Sequence, residues 1–178
     1  MRGATCAECR AETRLTGVVS AGSYRNQALQ RGVHWLKFKN IQPLAALLSS
    51  LLLPRLKRIA PLPLLRTRAV LVPVPLHRRR HRQRGFNQSA LLSSALSTYT
   101  GIPKADLLER SRSTWTQTKL PPELRKNNTT GAFSLLSKPS RPLLILIDDV
   151  TTTGSTLHSA ASTFPEKYTI WGCTIARG

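Results

Sequence analysis

Apolar and polar positions along the 178-residue chain change their period several times, and each change marks an element. Between residues 25 and 39, Leu29, Val33 and Leu36 recur at helical spacing, and Lys37, Phe38 and Lys39 close the segment. His34 and Trp35 read as a surface and a core residue of that helix. After Pro43, the residues Leu44, Leu47, Leu48, Leu51 and Leu52 make the apolar face of a second helix, which Pro54 interrupts. Arg55, Lys57 and Arg58 lie near its end, where cations suit the helix dipole. Residues 60–68, with Pro61, Pro63 and two arginines, read as a linker.

The apolar run 69–74 predicts a buried strand, ended by Pro73 and Pro75 because proline cannot donate to a central ladder. Ala90, Leu91, Ala95 and Leu96 predict a helix over about 87–99, stopped by Gly101 with Pro103 behind it. Residues 110–128 are polar and without period, which predicts a long loop, and a short strand begins at 131. The run 143–147 is too short for a helix and follows Pro142, so it reads as a strand buried on both faces. Leu157, Ala160, Ala161 and Phe164 predict a helix ended by Pro165. Residues 168–176 form the last buried strand, with Cys173 an inert apolar side chain in it. The expected fold class is α/β, a parallel twisted sheet flanked by helices.

Chemistry concentrates just after the 143–147 strand. Asp148 and Asp149 stand at its carboxyl end, the edge at which open α/β sheets bind ligands. Thr151, Thr152, Thr153, Gly154, Ser155 and Thr156 then supply hydroxyls and backbone N–H groups at the start of a helical segment, a pattern suited to phosphate. Adjacent carboxylates accept from vicinal hydroxyls or hold a hydrated divalent metal. A ribose 5-phosphate carries both a diol and a phosphate. Taken alone, the acidic pair fits a helix cap or a solvated turn as well; the strand before it and the loop after it favour the ligand site.

Charge adds a second candidate. Lys+Arg total 27 against 8 Asp+Glu, a formal net charge of +19, which points to a polyanion, nucleic acid or a phosphorylated metabolite. Arg78, Arg79, Arg80, Arg82 and Arg84 crowd one stretch at the carboxyl end of the 69–74 strand and are candidates for nucleic-acid binding, against the alternative of a solvated charge run. The longest membrane candidate, residues 44–53, holds two serines and falls short of the ~20 residues a span needs, so no membrane insertion is expected. With three cysteines and no amino-terminal apolar run for secretion, the thiols are expected to be reduced and the protein cytoplasmic. Cys6 and Cys9 have the spacing of a metal-binding pair but supply only half of a tetrahedral set, so zinc is not expected.

Residues 143–156 resemble the diphosphoribose-binding motif of the type I phosphoribosyltransferases, with Asp148 and Asp149 as the acidic pair and Thr152 to Thr156 as the phosphate loop. Thr151 departs from it, standing where that family has an aliphatic residue. Three further sets, Val72-Pro-Val-Pro-Leu-His77, Arg84-Gly-Phe-Asn-Gln88 and the spaced group Arg112, Thr114, Gln117, Leu120, Arg125, Asn128 and Gly131-Ala-Phe133, resemble the ComF family of phosphoribosyltransferase-like proteins.

The resemblance implies a type I phosphoribosyltransferase-like fold in three parts. Residues 1–24 would be the remnant of a Cys-containing module, 25–68 a helical hood and linker, and 69–178 the transferase-like domain. It further implies a pyrophosphate loop at Leu76, His77 and Arg78, and a mobile loop containing Arg112, Thr114, Gln117, Arg125 and Asn128. The implied ligand is phosphoribosyl pyrophosphate with Mg2+, in a transferase of unassigned acceptor. The alternative is a non-catalytic accessory factor that binds single-stranded DNA during competence and DNA uptake.

Overall fold

The computed structural model describes residues 13–110 and 131–178. Its centre is a parallel four-stranded sheet made of β1 (Gly17–Ser23), β2 (Ala69–Pro73), β5 (Leu143–Thr151) and β6 (Thr169–Arg177), in the order β1-β6-β5-β2. β5 lies between β2 and β6 and is buried along most of its length, as its run of Leu and Ile requires. A short antiparallel ribbon joins β3 (Leu108–Arg110) to β4 (Phe133–Leu135).

Helices cover both faces of the sheet. α1 (Gln27–Phe38), α2 (Leu44–Ser50) and α6 (Gln88–Thr100) send Leu36, Leu48, Leu92 and Leu96 onto one face, against Leu71, Ile145, Ile147 and Cys173. α7 (Ser155–Ala161) sends Leu157 and Ala160 onto the other, against Val70, Val72, Leu144 and Leu146. Odd and even positions of β5 thus feed different cores, the period-2 consequence of a strand buried on both sides. Each fully buried Leu or Ile contributes about 1.5–3 kcal/mol of transfer free energy.

The winding reverses between β2 and β5. From β2 the chain leaves through α6 on the first face and returns along the outer edge of β2, where Leu71 and Lys104 form a parallel bridge. From β5 it leaves the other way, through α7 on the second face, to β6. Such a reversal opens a crevice at the carboxyl ends of the two strands it separates.

Several elements differ from the sequence expectation. Residues 60–68 are not a linker: Leu62–Arg68 is a helix, α4, which tolerates Pro63 because the first helical N–H groups have no partner to lose. The helix expected after Pro43 is two pieces, α2 and α3 (Leu53–Leu56), and its apolar face divides: Leu48 and Leu52 are buried while Leu47 and Leu51 are exposed. Trp35 is not a core residue, being 46% exposed, because Val33 and Leu36 define the buried stripe of α1. β1 lies inside the segment 1–24 and is an edge strand of the main sheet; its alternation of small and polar residues, GVVSAGS, carries little apolar signal.

Residues 78–84 form a helix, α5, with His77 as its N-cap and Gly85, in the left-handed region at φ 80°, ending it. β5 runs on to Thr151, so Asp148 and Asp149 are strand residues and not the first residues beyond it. The cysteine pair Cys6 and Cys9, and the loop residues Arg112, Thr114, Gln117, Arg125 and Asn128, lie outside the described residues.

Candidate functional site

The crevice at the β2 and β5 ends is a cleft of about 180 Å³. Its floor is the acidic pair. Its wall on the β2 side is Val74, Pro75 and Leu76, and Thr156, from the first turn of α7, closes it on the β5 side. Lys37, Arg80, Arg84 and Arg110 complete it, so four cationic side chains surround two carboxylates. A larger and shallower crevice of about 490 Å³ lies at the ends of β1 and β6, lined by Ser20, Ser23, Arg25 and Arg177. No Asp or Glu side chain is among its described lining residues and it sits away from the reversal, so the chemistry concentrates in the smaller cleft.

Neighbours in a strand start out on opposite faces, yet both carboxylates meet groups from the layer of α1 and α6. Asp148 Oδ1 accepts from Ser89 Oγ at 3.0 Å and from the Asp149 backbone N–H at 2.9 Å. Asp149 Oδ1 lies 2.9 Å from Lys37 Nζ, and the residue is only 3% exposed. Asp149 Oδ2 is buried and has no hydrogen-bond partner among the described residues. Desolvation, and then the neighbouring Asp149 carboxylate, raise the Asp148 pKa to about 7, against the lowering effects of the Asp149 N–H, Lys37 and Ser89.

α5 divides the arginine cluster. Arg80 and Arg84, one turn apart, line the cleft; Arg84 donates to Gln88 Oε1 at 2.5 Å and stands 5.5 Å from the centre of the Phe38 ring. Burial lowers the Arg84 pKa, with Asp149 opposing it. Arg78, Arg79 and Arg82 are exposed and do not line the cleft, whereas Arg80 is exposed but lines it, and the Arg78 pair with Glu109 at 3.8 Å is a solvated contact of small energy. Arg110 stacks on Phe133 at 5.2 Å; burial lowers its pKa too, aided by Arg80 and opposed by Asp148.

After β5, Thr152 and Thr153 are exposed, and Gly154 turns the chain at φ 79° into α7. A Cβ on Gly154 would meet nothing within 4 Å, so the position opens onto free space. Thr153 Oγ1 donates to Ser155 Oγ at 3.0 Å. Thr151 is buried in β5, paired with Arg177, and so belongs to the strand and not to the loop.

No family model matches the chain. The DNA utilization protein YhgH of Salmonella typhi is 41% identical over 133 residues, covering 72% of this chain and 57% of that protein. Competence protein F of Haemophilus influenzae is 39% identical over 114 residues, covering 60% and 50%. Competence protein ComFC of Bacillus subtilis is 38% identical over 102 residues, covering 55% and 39%. These homologues support membership of the ComF family. The chain spans about half the length of the curated relatives it matches.

The structure brings Asp148, Asp149, Leu76, Arg80, Arg84 and Thr156 to one cleft. His77 instead caps α5, its Nδ1 accepting from Arg79 N–H, and Arg78 faces Glu109. Lys37, Ser89 and Arg110 are site residues that the sequence reading did not single out, and Gln88, the end of the Arg84-Gly-Phe-Asn-Gln88 motif, joins them in the cleft. Lys37 was hidden by its place at the end of an amphipathic helix, where a lysine is ordinarily a solvated cation. Ser89 follows the cap Asn87 and reads as part of a helix start. No helix among the described residues is long and apolar enough to cross a membrane.

Proposed function

We propose that the cleft binds a ribose 5-phosphate group, presented as phosphoribosyl pyrophosphate, on a type I phosphoribosyltransferase-like fold. The observation that carries this reading is Asp149 Oδ2, a buried carboxylate oxygen with no hydrogen-bond partner among the described residues, in the crevice at the reversal of the sheet. An unpaired buried acceptor costs about 1–3 kcal/mol, which a ligand hydroxyl would recover. Half-buried Asp148 beside it offers acceptors for the second hydroxyl of a diol. Thr152 to Thr156, with the open position at Gly154, suit the 5-phosphate, and Arg80, Arg84 and Arg110 suit the pyrophosphate.

The described residues contain no cluster of three or more metal-ligating side chains, and Asp149 Oδ1 already faces an ammonium group. The described residues therefore offer a divalent cation little beyond Asp148, and Mg2+ would be held mainly by oxygens of the pyrophosphate. Bound there, it would neutralise charge on the leaving group. The protein's part in a transfer would be to orient the ribose through the acidic pair and to stabilise the departing pyrophosphate through the arginines. No covalent nucleophile is needed.

The names of the homologues support a role in competence and DNA utilization. A second reading, binding of single-stranded DNA without catalysis, is favoured by Arg78, Arg79 and Arg82, exposed on a helix whose other arginines already serve the cleft. Pyrophosphate release measured across purine, pyrimidine and related acceptors tests the transferase. Release with one acceptor class, lost in Asp149→Asn, supports it; binding of phosphoribosyl pyrophosphate without release for any acceptor leaves a sensor or a DNA-handling protein.

A further inference from the structure

Lys37 ties the hood to the acidic pair. It is the penultimate residue of α1, a helix anchored by the fully buried Leu36, and its side chain is 22% exposed where it meets Asp149, whose side chain is 5% exposed. The next residue, Phe38, lies under the Arg84 guanidinium, so the end of α1 meets the cleft at two points. This is not a solvated surface pair, whose energy is small; removing one partner would strand a buried charge. The ammonium takes one Asp149 oxygen and leaves the other, Oδ2, buried and without a hydrogen-bond partner among the described residues. A divalent cation on the acidic pair would have to displace Lys37 or sit beside it, in a cleft that already holds three arginines.

We propose that Lys37 is the resident counter-cation of the acidic pair, positioning Asp149 for a ligand hydroxyl, so that the ribose is recognised without a divalent cation. The inference rests on the ribose-phosphate reading and goes beyond it. Two sites of charge compensation are then distinct: Lys37 at the diol end, and arginine with any metal at the pyrophosphate end. Ribose 5-phosphate, which has no pyrophosphate, isolates the first.

Calorimetric titration of the chain with ribose 5-phosphate, in EDTA and in excess MgCl2, tests it. The wild type should bind equally in both to within about twofold. Lys37→Met should bind on the order of ten- to a hundredfold more weakly in EDTA, the loss of one charge-assisted contact, with partial recovery in MgCl2. Lys37→Arg should keep metal-independent binding, which a purely structural role for the lysine does not require. Thermal melts of both variants show that they are folded at the titration temperature. Wild-type binding that disappears in EDTA and returns with MgCl2 overturns the inference and leaves the ribose reading standing, as does Lys37→Met binding like the wild type. No wild-type binding under either condition overturns both.

Discussion

Ser89 Oγ donates to Asp148 Oδ1 at 3.0 Å, so the first turn of α6 meets the carboxyl end of β5 through a half-buried carboxyl group. That bond and the Asp149 N–H favour the ionised form, but desolvation and the adjacent carboxylate outweigh them. Asp148 is therefore a disfavoured anion at alkaline pH and a carboxyl that holds its proton up to near neutrality.

The consequence for stability has a definite sign. With its folded pKa raised to about 7 from an unfolded value of ~3.9, Asp148 penalises the native state progressively as pH rises through that window, and its protonated form does not. Asp148→Asn, which keeps an acceptor for Ser89 and Asp149 N–H, should melt near the wild-type temperature at pH 4 and above it at pH 8. A difference of at least about 2 °C at pH 8 corresponds to roughly half to one kcal/mol for a chain of this size. Thermal melts of the two proteins across pH 4–8 check it; a pH-independent difference would contradict the assignment.

The division of α5 predicts separable arginine functions. Arg79→Ala with Arg82→Ala should weaken binding to single-stranded DNA and flatten its dependence on log salt by roughly 1.4, two phosphate contacts at ~0.7 each, while sparing ribose 5-phosphate. Arg80→Ala should instead weaken phosphoribosyl pyrophosphate. Fluorescence anisotropy across a salt series measures the first effect and calorimetry the second. Equal losses of both ligands in both variants would mean that the helix acts as one undivided charge.

Gly154 makes a narrower prediction. Its φ of 79° is strained for any side chain, although a Cβ would meet no protein atom. Gly154→Ala should therefore lower stability by about 1 kcal/mol, through backbone strain alone. If phosphate approaches this turn closely, the same change should also reduce ribose 5-phosphate affinity. Stability lost with affinity unchanged would place the phosphate elsewhere.

Much of the frame was legible because burial on both faces leaves unmistakable runs: 69–72 and 143–147 lie in strands and hold only Ala, Val, Leu and Ile. The acidic pair and the threonine loop were legible as neighbours in sequence. β1 was not, since an edge strand with only two valines among Gly, Ala and Ser has little periodicity. Nor was β3, three residues long with Glu109 and Arg110 in it, held by its antiparallel partner and not by propensity. The arginine run was seen as one cluster because sequence order hides the helical turn that places Arg80 and Arg84 together. Lys37 meets Asp149 only through the packing of α1 on the sheet, a long-range contact with no local signature.

The central claim is that the acidic pair in the β2–β5 cleft holds a ribose, and calorimetry with phosphoribosyl pyrophosphate on the wild type and Asp149→Asn tests it most directly. The substitution preserves shape and removes the ionised acceptor, so affinity should fall on the order of ten- to a hundredfold, the ~1.5 to 3 kcal/mol of a charge-assisted hydrogen bond. Ribose 5-phosphate should compete and a free nucleobase should not. No heat with the wild type, or equal heats for the two proteins, would contradict the claim.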